Sequence, residues 1–191
     1  MSSSAWHWQK VLFVPLVAAC GLQILGWITA NERLQQRQIY EARLVNGMLG
    51  RDLSEAPNWE RLSALAAYPK VRRIRVSASD GGSVEVWLGW RAQGGYAGPV
   101  DLAIAFDGHA RVHQVRLLKH SETPGLGDRV EFRNSDWLLQ FLGIGFFEDA
   151  RLRARQGQID AISGATITSA AVARGVAGAL AAFVQSKGQD R

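Results

Sequence analysis

Three hydroxyl side chains, Ser163, Thr166 and Thr168, lie close together in the run Asp160-Ala161-Ile162-Ser163-Gly164-Ala165-Thr166-Ile167-Thr168-Ser169, where an alternating segment gives way to an Ala-rich one. At the start of a helix, backbone N–H groups without intrahelical acceptors and the positive end of the helix dipole favour an anion. Gly164 and Ala165 keep side-chain bulk away from that position, and the hydroxyls offer either hydrogen bonds to a phosphate or an oxygen for a phosphoester link. The same cluster also reads as a plain helix N-cap, and local composition does not separate the two readings.

A second string, His120-Ser121-Glu122-Thr123-Pro124-Gly125-Leu126-Gly127-Asp128, reads as an exposed turn. In such a loop Glu122 and Thr123 can hydrogen-bond a polar ring edge and Leu126 can cover a ring face, with Gly127 exposing backbone. Trp87, Trp90, Trp137 and Tyr96 are candidates for stacking on a ring, with core packing as the competing use of each. Other chemistries find little support. His109, His113 and His120 do not form a metal-ligand spacing, so no metal is expected. No triad or carboxylate pair is evident, and a hydrolase using Ser163 or Thr166 as nucleophile would lack an activating His or Lys motif. No catalytic residue is therefore assigned.

The elements that must position these strings follow from periodicity. Apolar residues Ile39, Ala42, Val45 and Leu49 give an amphipathic helix within Asn31–Gly50, and Pro57 is expected to start a short helix carrying Leu62, Leu65 and Ala66. The pattern then changes to alternation. Val84, Val86, Leu88 and Trp90 alternate with Glu85, Trp87 and Gly89, and Val100, Leu102, Ile104 and Phe106 alternate with Asp101, Ala103 and Ala105. Asp107-Gly108 turns the second of these strands onto Ala110–Leu118, and Val71–Ser77 adds another. An antiparallel sheet of at least four strands is expected, interrupted by the loop Gly94-Gly95-Tyr96-Ala97-Gly98-Pro99. Farther on, Ser135 or Asp136 should cap a short helix through Phe141, Arg153–Ile162 should be a strand, and a final helix should run from about Ser169 to Gln185. The fold class is α+β.

The chain of 191 residues has room for one domain and an anchor. Its net charge of +5 is interspersed except at Lys70–Arg75, which reads as a solvated strand face, so no nucleic-acid partner is expected. Cys20 is the only cysteine, which removes disulfide and thiol chemistry from the rest of the chain. Val11–Ala30 is apolar over about the 20 residues that cross a bilayer, with Trp6, Trp8 and Trp27 at its flanks. A retained transmembrane helix is expected there. A cleaved signal and a lipoprotein signal ending Val17-Ala18-Ala19-Cys20 are alternatives, disfavoured because the apolar run continues past Cys20. Arg33, Arg37 and Arg43 after the run leave the orientation open.

The string D-A-I-S-G-A-T-I-T-S resembles the flavinylation motif of a family of FMN-binding domains, that of the G component of the Rnf electron transport complex (RnfG/RsxG) and of the C component of the sodium-pumping NADH:quinone reductase. E-T-P-G-L-G, beginning at Glu122, and the Gly-Tyr-x-Gly-Pro loop at Gly95–Pro99 are similar to segments of the same family, and the length and Gly-Tyr loop favour the Rnf member. The resemblance implies FMN attached by a flavin transferase, through a phosphoester, to Thr166. Asp160 would serve recognition by the transferase. Ser163, Gly164, Ala165 and Thr168 would line the phosphate and ribityl chain, and Glu122, Thr123, Leu126 and Gly127 the ring. It implies an electron-relay protein, non-catalytic alone, in an ion-translocating complex passing electrons between ferredoxin and NAD, with the other Rnf subunits as partners. It also implies a single-pass protein of the bacterial inner membrane: residues 1–10 cytoplasmic, 11–30 transmembrane, 31–69 a helical stalk, and 70–191 an FMN-binding domain in the periplasm. A non-redox membrane-tethered sensor or assembly module is the rival class.

Overall fold

The computed structural model describes residues 4–50, 59–77, 82–123, 130, 136–146 and 150–189. Helix α1 runs Ser4–Met48 and is followed by strands β1 (Trp59–Leu62), β2 (Arg72–Ser77), β3 (Ser83–Ala92), β4 (Val100–Phe106) and β5 (Val112–Lys119). Helix α2 (Thr166–Gln189) closes the chain. Two compact units result, Met1–Leu44 and Val45–Arg191, and the sheet and α2 belong to the second.

The strands pair in sequence order, β1-β2-β3-β4-β5, every neighbour antiparallel. The alternation inferred for β3 holds only as far as Leu88. The register shifts between Leu88 and Trp90, and Gly89, at φ +85°, is the residue between them. This β-bulge reverses the parity of the strand. Trp90 therefore returns to the face of Trp87, and their rings lie 5.7 Å apart in the core instead of on opposite faces. Ile104 and Leu102, their partners on β4, are also fully buried on this face.

α2 lies over β3 and β4. Its Ala-rich sequence is strongly helix-forming, and Val172, Val176, Leu180 and Phe183 enter the core at helical spacing. Phe183 stacks on Phe106 at 4.4 Å between ring centroids. At Gly175 the helix backbone comes so near the sheet that an added Cβ would stand 2.5 Å from the Cβ of Ala92. Toward the far end, Glu85 on β3 joins three elements: its Oε1 accepts from Arg73 Nε on β2 at 2.7 Å and from Trp87 Nε1 at 2.8 Å, while Lys187 Nζ of α2 stands 3.3 Å from Oε2. On the opposite face, the last turn of α1 supplies buried Val45 and Met48, and the Gly47 carbonyl accepts from Arg116 of β5 at 3.0 Å.

Several expectations are corrected. Trp59–Leu62, placed in a helix begun by Pro57, is a strand paired with the open edge of β2; Pro57 itself lies outside the described residues. Arg153–Ile162 is not a strand: a 3-10 turn occupies Arg153–Arg155, Gln156 is left-handed, and Arg153 N–H donates to Ile159 O at 2.7 Å. The segment folds back on itself, so its backbone groups are met locally and not by a ladder. The helix before Phe141 is a 3-10 helix, Trp137–Phe141; Asp136 precedes it without a side-chain cap, and Ser135 is outside the described residues. The N-terminal transmembrane helix of the expected fold is corrected as well. Among the described residues, the helix of membrane length and apolarity is Thr166–Gly188, at the C-terminus, with 61% of its apolar window buried. Its apolarity is that of a helix packed against a sheet. Residues 11–30 instead form part of the continuous helix α1, which passes without a break into the polar residues after Ala30.

Two substitutions test this packing. Gly175→Ala would gain about 1 kcal/mol of helix propensity but forces a contact that costs about 1–3 kcal/mol, so urea unfolding should show a net loss of stability; a stabilised variant would refute the close approach. Glu85→Ala leaves Arg73 buried without its carboxylate and should lower unfolding free energy by about 3–5 kcal/mol. Arg73 and Glu85 carry this effect, because the half-exposed Lys187 is screened by solvent.

Candidate functional site

The chain enters α2 through a tight turn. Ala165 N–H donates to Ile162 O at 3.0 Å, and Gly164 at φ +81° occupies the left-handed position that such a turn requires. Ser169 N–H then donates to Ala165 O at 2.9 Å, the first bond of the helix, so the helix begins three residues before its expected start. Ser169 Oγ accepts from Ile162 N–H at 3.2 Å, fastening the incoming stretch of chain to the first turn. Thr166, Ile167 and Thr168 thus present N–H groups that have no acceptor within the helix.

A cavity of about 460 Å³ opens at this helix start, lined by Tyr96, Glu122, Thr123, Gly164, Ala165, Thr166, Ile167 and Thr168. Three separated segments meet in it: the glycine-rich loop after β3, the chain leaving β5, and the turn into α2. Its size is that of a small-molecule site. The three hydroxyls singled out in the sequence are placed differently. Thr166 is exposed and lines the cavity; Thr168 is buried, with its hydroxyl donating to Glu122 Oε2 at 2.8 Å; Ser163 is exposed in the turn and is not part of the lining.

Glu122 is itself buried, and its other oxygen, Oε1, accepts from Ala97 N–H at 3.2 Å. Thr123 is exposed beside it, while Leu126 and Gly127 lie outside the described residues. Of the aromatic candidates, Trp87, Trp90 and Trp137 belong to the core and only Tyr96, 73% exposed, borders the cavity. Ile167, 53% exposed, was not singled out, although its position next to Thr166 on a helix start signalled it.

Asp160 sits apart from the cavity lining, on the surface. Its carboxylate pairs with Arg153 at 2.8 Å, its N–H donates to Gln140 Oε1 at 2.8 Å, and its carbonyl accepts from the Trp137 indole at 2.5 Å. The 3-10 helix and the folded-back segment therefore hold Asp160 from both sides.

The FMN-binding domain family matches residues 95–181, a stretch that begins in the glycine-rich loop and ends within α2. Among similar proteins, the G component of the ion-translocating oxidoreductase complex of Pectobacterium atrosepticum is 34% identical over 157 residues, 78% of this chain and 73% of the relative. The protein of the same name from Escherichia coli K12 is 37% identical over 169 residues, covering 84% and 79%. That of Vibrio cholerae is 29% identical over 171 residues, covering 85% and 82%. The matched region contains most of the apolar helix α2, so the expected layout of an N-terminal anchor followed by a separate periplasmic FMN domain is corrected: the membrane-length helix among the described residues overlaps the FMN-binding region. With 34% and 37% identity to two such relatives over most of both chains, this protein belongs to the RnfG/RsxG family of Rnf-complex proteins.

Proposed function

We propose that the protein is the FMN-carrying electron-relay subunit of an Rnf-type ion-translocating oxidoreductase, with the cofactor joined through its phosphate to the Thr166 hydroxyl. The observation that carries this reading is the position of Thr166: an exposed hydroxyl on the first turn of a 24-residue helix, at the wall of a cavity of about 460 Å³. The residues present fit FMN. The N–H groups of the first turn and the helix dipole suit a phosphate. Gly164 and Ala165 leave room beside it, Thr123 is exposed to a polar chain, and Tyr96 and Ile167 offer apolar surface to a ring.

When bound, FMN supplies the redox chemistry, accepting and passing on electrons. The chain's task is to hold it. A link at the phosphate retains the cofactor while leaving the ring system electronically unaltered, which suits a relay that needs no catalytic residue of its own. In forming the link, the Thr166 oxygen would bond to the FMN phosphorus of FAD, the pyrophosphate bond would break, AMP would depart and the hydroxyl proton would be released. In the same reading Asp160, exposed outside the cavity lining and bonded to Arg153, Gln140 and Trp137, would be the residue that the transferase recognises. The other members of the complex are the partners in electron passage, as the name of the relatives implies.

Peptide mass spectrometry after expression with a flavin transferase tests the link. The peptide containing Thr166 should gain the mass of FMN less one water. Thr166→Ala should abolish the gain, Thr166→Ser should retain it, and Ser163→Ala should leave it in place. An unmodified wild-type peptide, or modification that persists in Thr166→Ala, would refute the assignment.

A further inference from the structure

Glu122 lies on no helix or strand, yet its side chain is among the most buried carboxylates of the domain, at 6% exposure. A carboxylate in that environment is tolerated when its oxygens accept charge-assisted hydrogen bonds. Its two oxygens find their donors on two different segments: Oε1 on the N–H of Ala97 in the glycine-rich loop, at 3.2 Å, and Oε2 on the hydroxyl of Thr168 in α2, at 2.8 Å. Its own N–H donates to His120 Nδ1 at 3.2 Å, which steadies the segment from which the side chain projects.

The loop reaches this carboxylate because residue 95 has no side chain. A Cβ there would stand 2.7 Å from Glu122 Oε1 and 2.4 Å from the Gly98 carbonyl. The two donors also have telling neighbours. Ala97 follows Tyr96 and Thr168 follows Ile167, and Tyr96 and Ile167 are the two exposed apolar side chains of the cavity lining. One carboxylate is therefore bonded to the residue next to each of them.

We propose that Glu122 is a positioning residue for the cofactor ring, clasping the Tyr96 loop to the first turn of α2 and so fixing the separation of the two apolar surfaces that the ring meets. This rests on the FMN reading above, and it assigns Glu122 and Thr168 an action through Tyr96 and Ile167. Opening the clasp frees the loop while leaving the Thr166 hydroxyl untouched.

The test uses the full chain carrying FMN, with visible-region circular dichroism and flavin fluorescence expressed per mole of flavin. Thr168→Val removes the donor at nearly constant volume, and Gly95→Ala pushes the loop off an intact Glu122–Thr168 pair. Because one hydrogen bond of this kind shifts a local equilibrium by up to about tenfold, each variant should lose roughly half or more of the circular dichroism and gain fluorescence, and Thr168→Ser should restore the wild-type spectrum. Adding Tyr96→Ala to Thr168→Val should change the spectrum little further, since both act through the same contact. Wild-type spectra in both Thr168→Val and Gly95→Ala, or full additivity with Tyr96→Ala, would overturn the clasp. Loss of thermal stability with an unchanged ring spectrum would also overturn it, as the mark of a merely structural bond. Absence of the FMN mass from the wild-type Thr166 peptide bears on the tether alone, and altered ring spectra with bound but unlinked flavin would still support the clasp.

Discussion

The close seating of α2 on β3 and β4 governs where everything else in the domain can be. Gly175, where an added Cβ would stand 2.5 Å from the Cβ of Ala92, brings the helix backbone nearer the sheet than a larger residue would allow. Phe183 and the Glu85 cluster then fix its far end. A helix held at its middle and its C-terminal end points its N-terminus in one direction. The first-turn N–H groups thus become a fixed feature of the cavity wall, where an unpacked helix start would fray.

The bulge at Gly89 belongs to the same arrangement. Without the extra residue, Trp90 and Ala92 would face away from α2, and the small surface that receives Gly175 would be lost. Because β3 leads directly into the loop of Gly94–Gly98, its restored parity also sets the face from which that loop leaves the sheet. The sheet therefore contributes to the cavity without lending it a side chain from any strand. All of the lining comes from connections and the first turn of α2, which is where binding groups on a rigid scaffold are commonly found.

The parts of the fold that were legible in sequence are those whose signal is local. Alternation gave away β4 and β5, Asp107-Gly108 marked their turn, and Ala-rich helical spacing marked α2. Features decided by distant partners were not legible. Trp59–Leu62 carries helix-compatible residues but is drawn into the sheet by the unpaired edge of β2. The parity change at Gly89 is invisible to a count of alternating residues. Composition also misled about the membrane: Val11–Ala30, expected to be a separate crossing, is part of the continuous helix α1, and the helix of membrane length and apolarity among the described residues is α2, whose apolar residues are buried on the sheet. In the site, the strings around Glu122 and Thr166 were identifiable as chemistry-bearing, but the inward turn of Glu122 and the contribution of Ile167 depend on how two loops meet.

Spacing alone treats Ser163, Thr166 and Thr168 as equivalent hydroxyls, and their environments divide the work among them. The Thr168 hydroxyl is buried and already donates to a carboxylate, so linking a phosphate there would strip Glu122 of a donor and place a second anionic group beside it. Ser163 precedes the left-handed Gly164, ahead of the first helical turn, and lies outside the cavity lining. Thr166 alone combines an exposed hydroxyl with membership of both the cavity wall and the first helical turn. A phosphate on it would remain where the helix end is most favourable to negative charge, while Thr168, two residues on, keeps Glu122 satisfied. The reading of Thr166 as the tether thus draws on the same bond that makes Thr168 unsuitable, and one short stretch of helix both carries the proposed link and helps hold the loop opposite it.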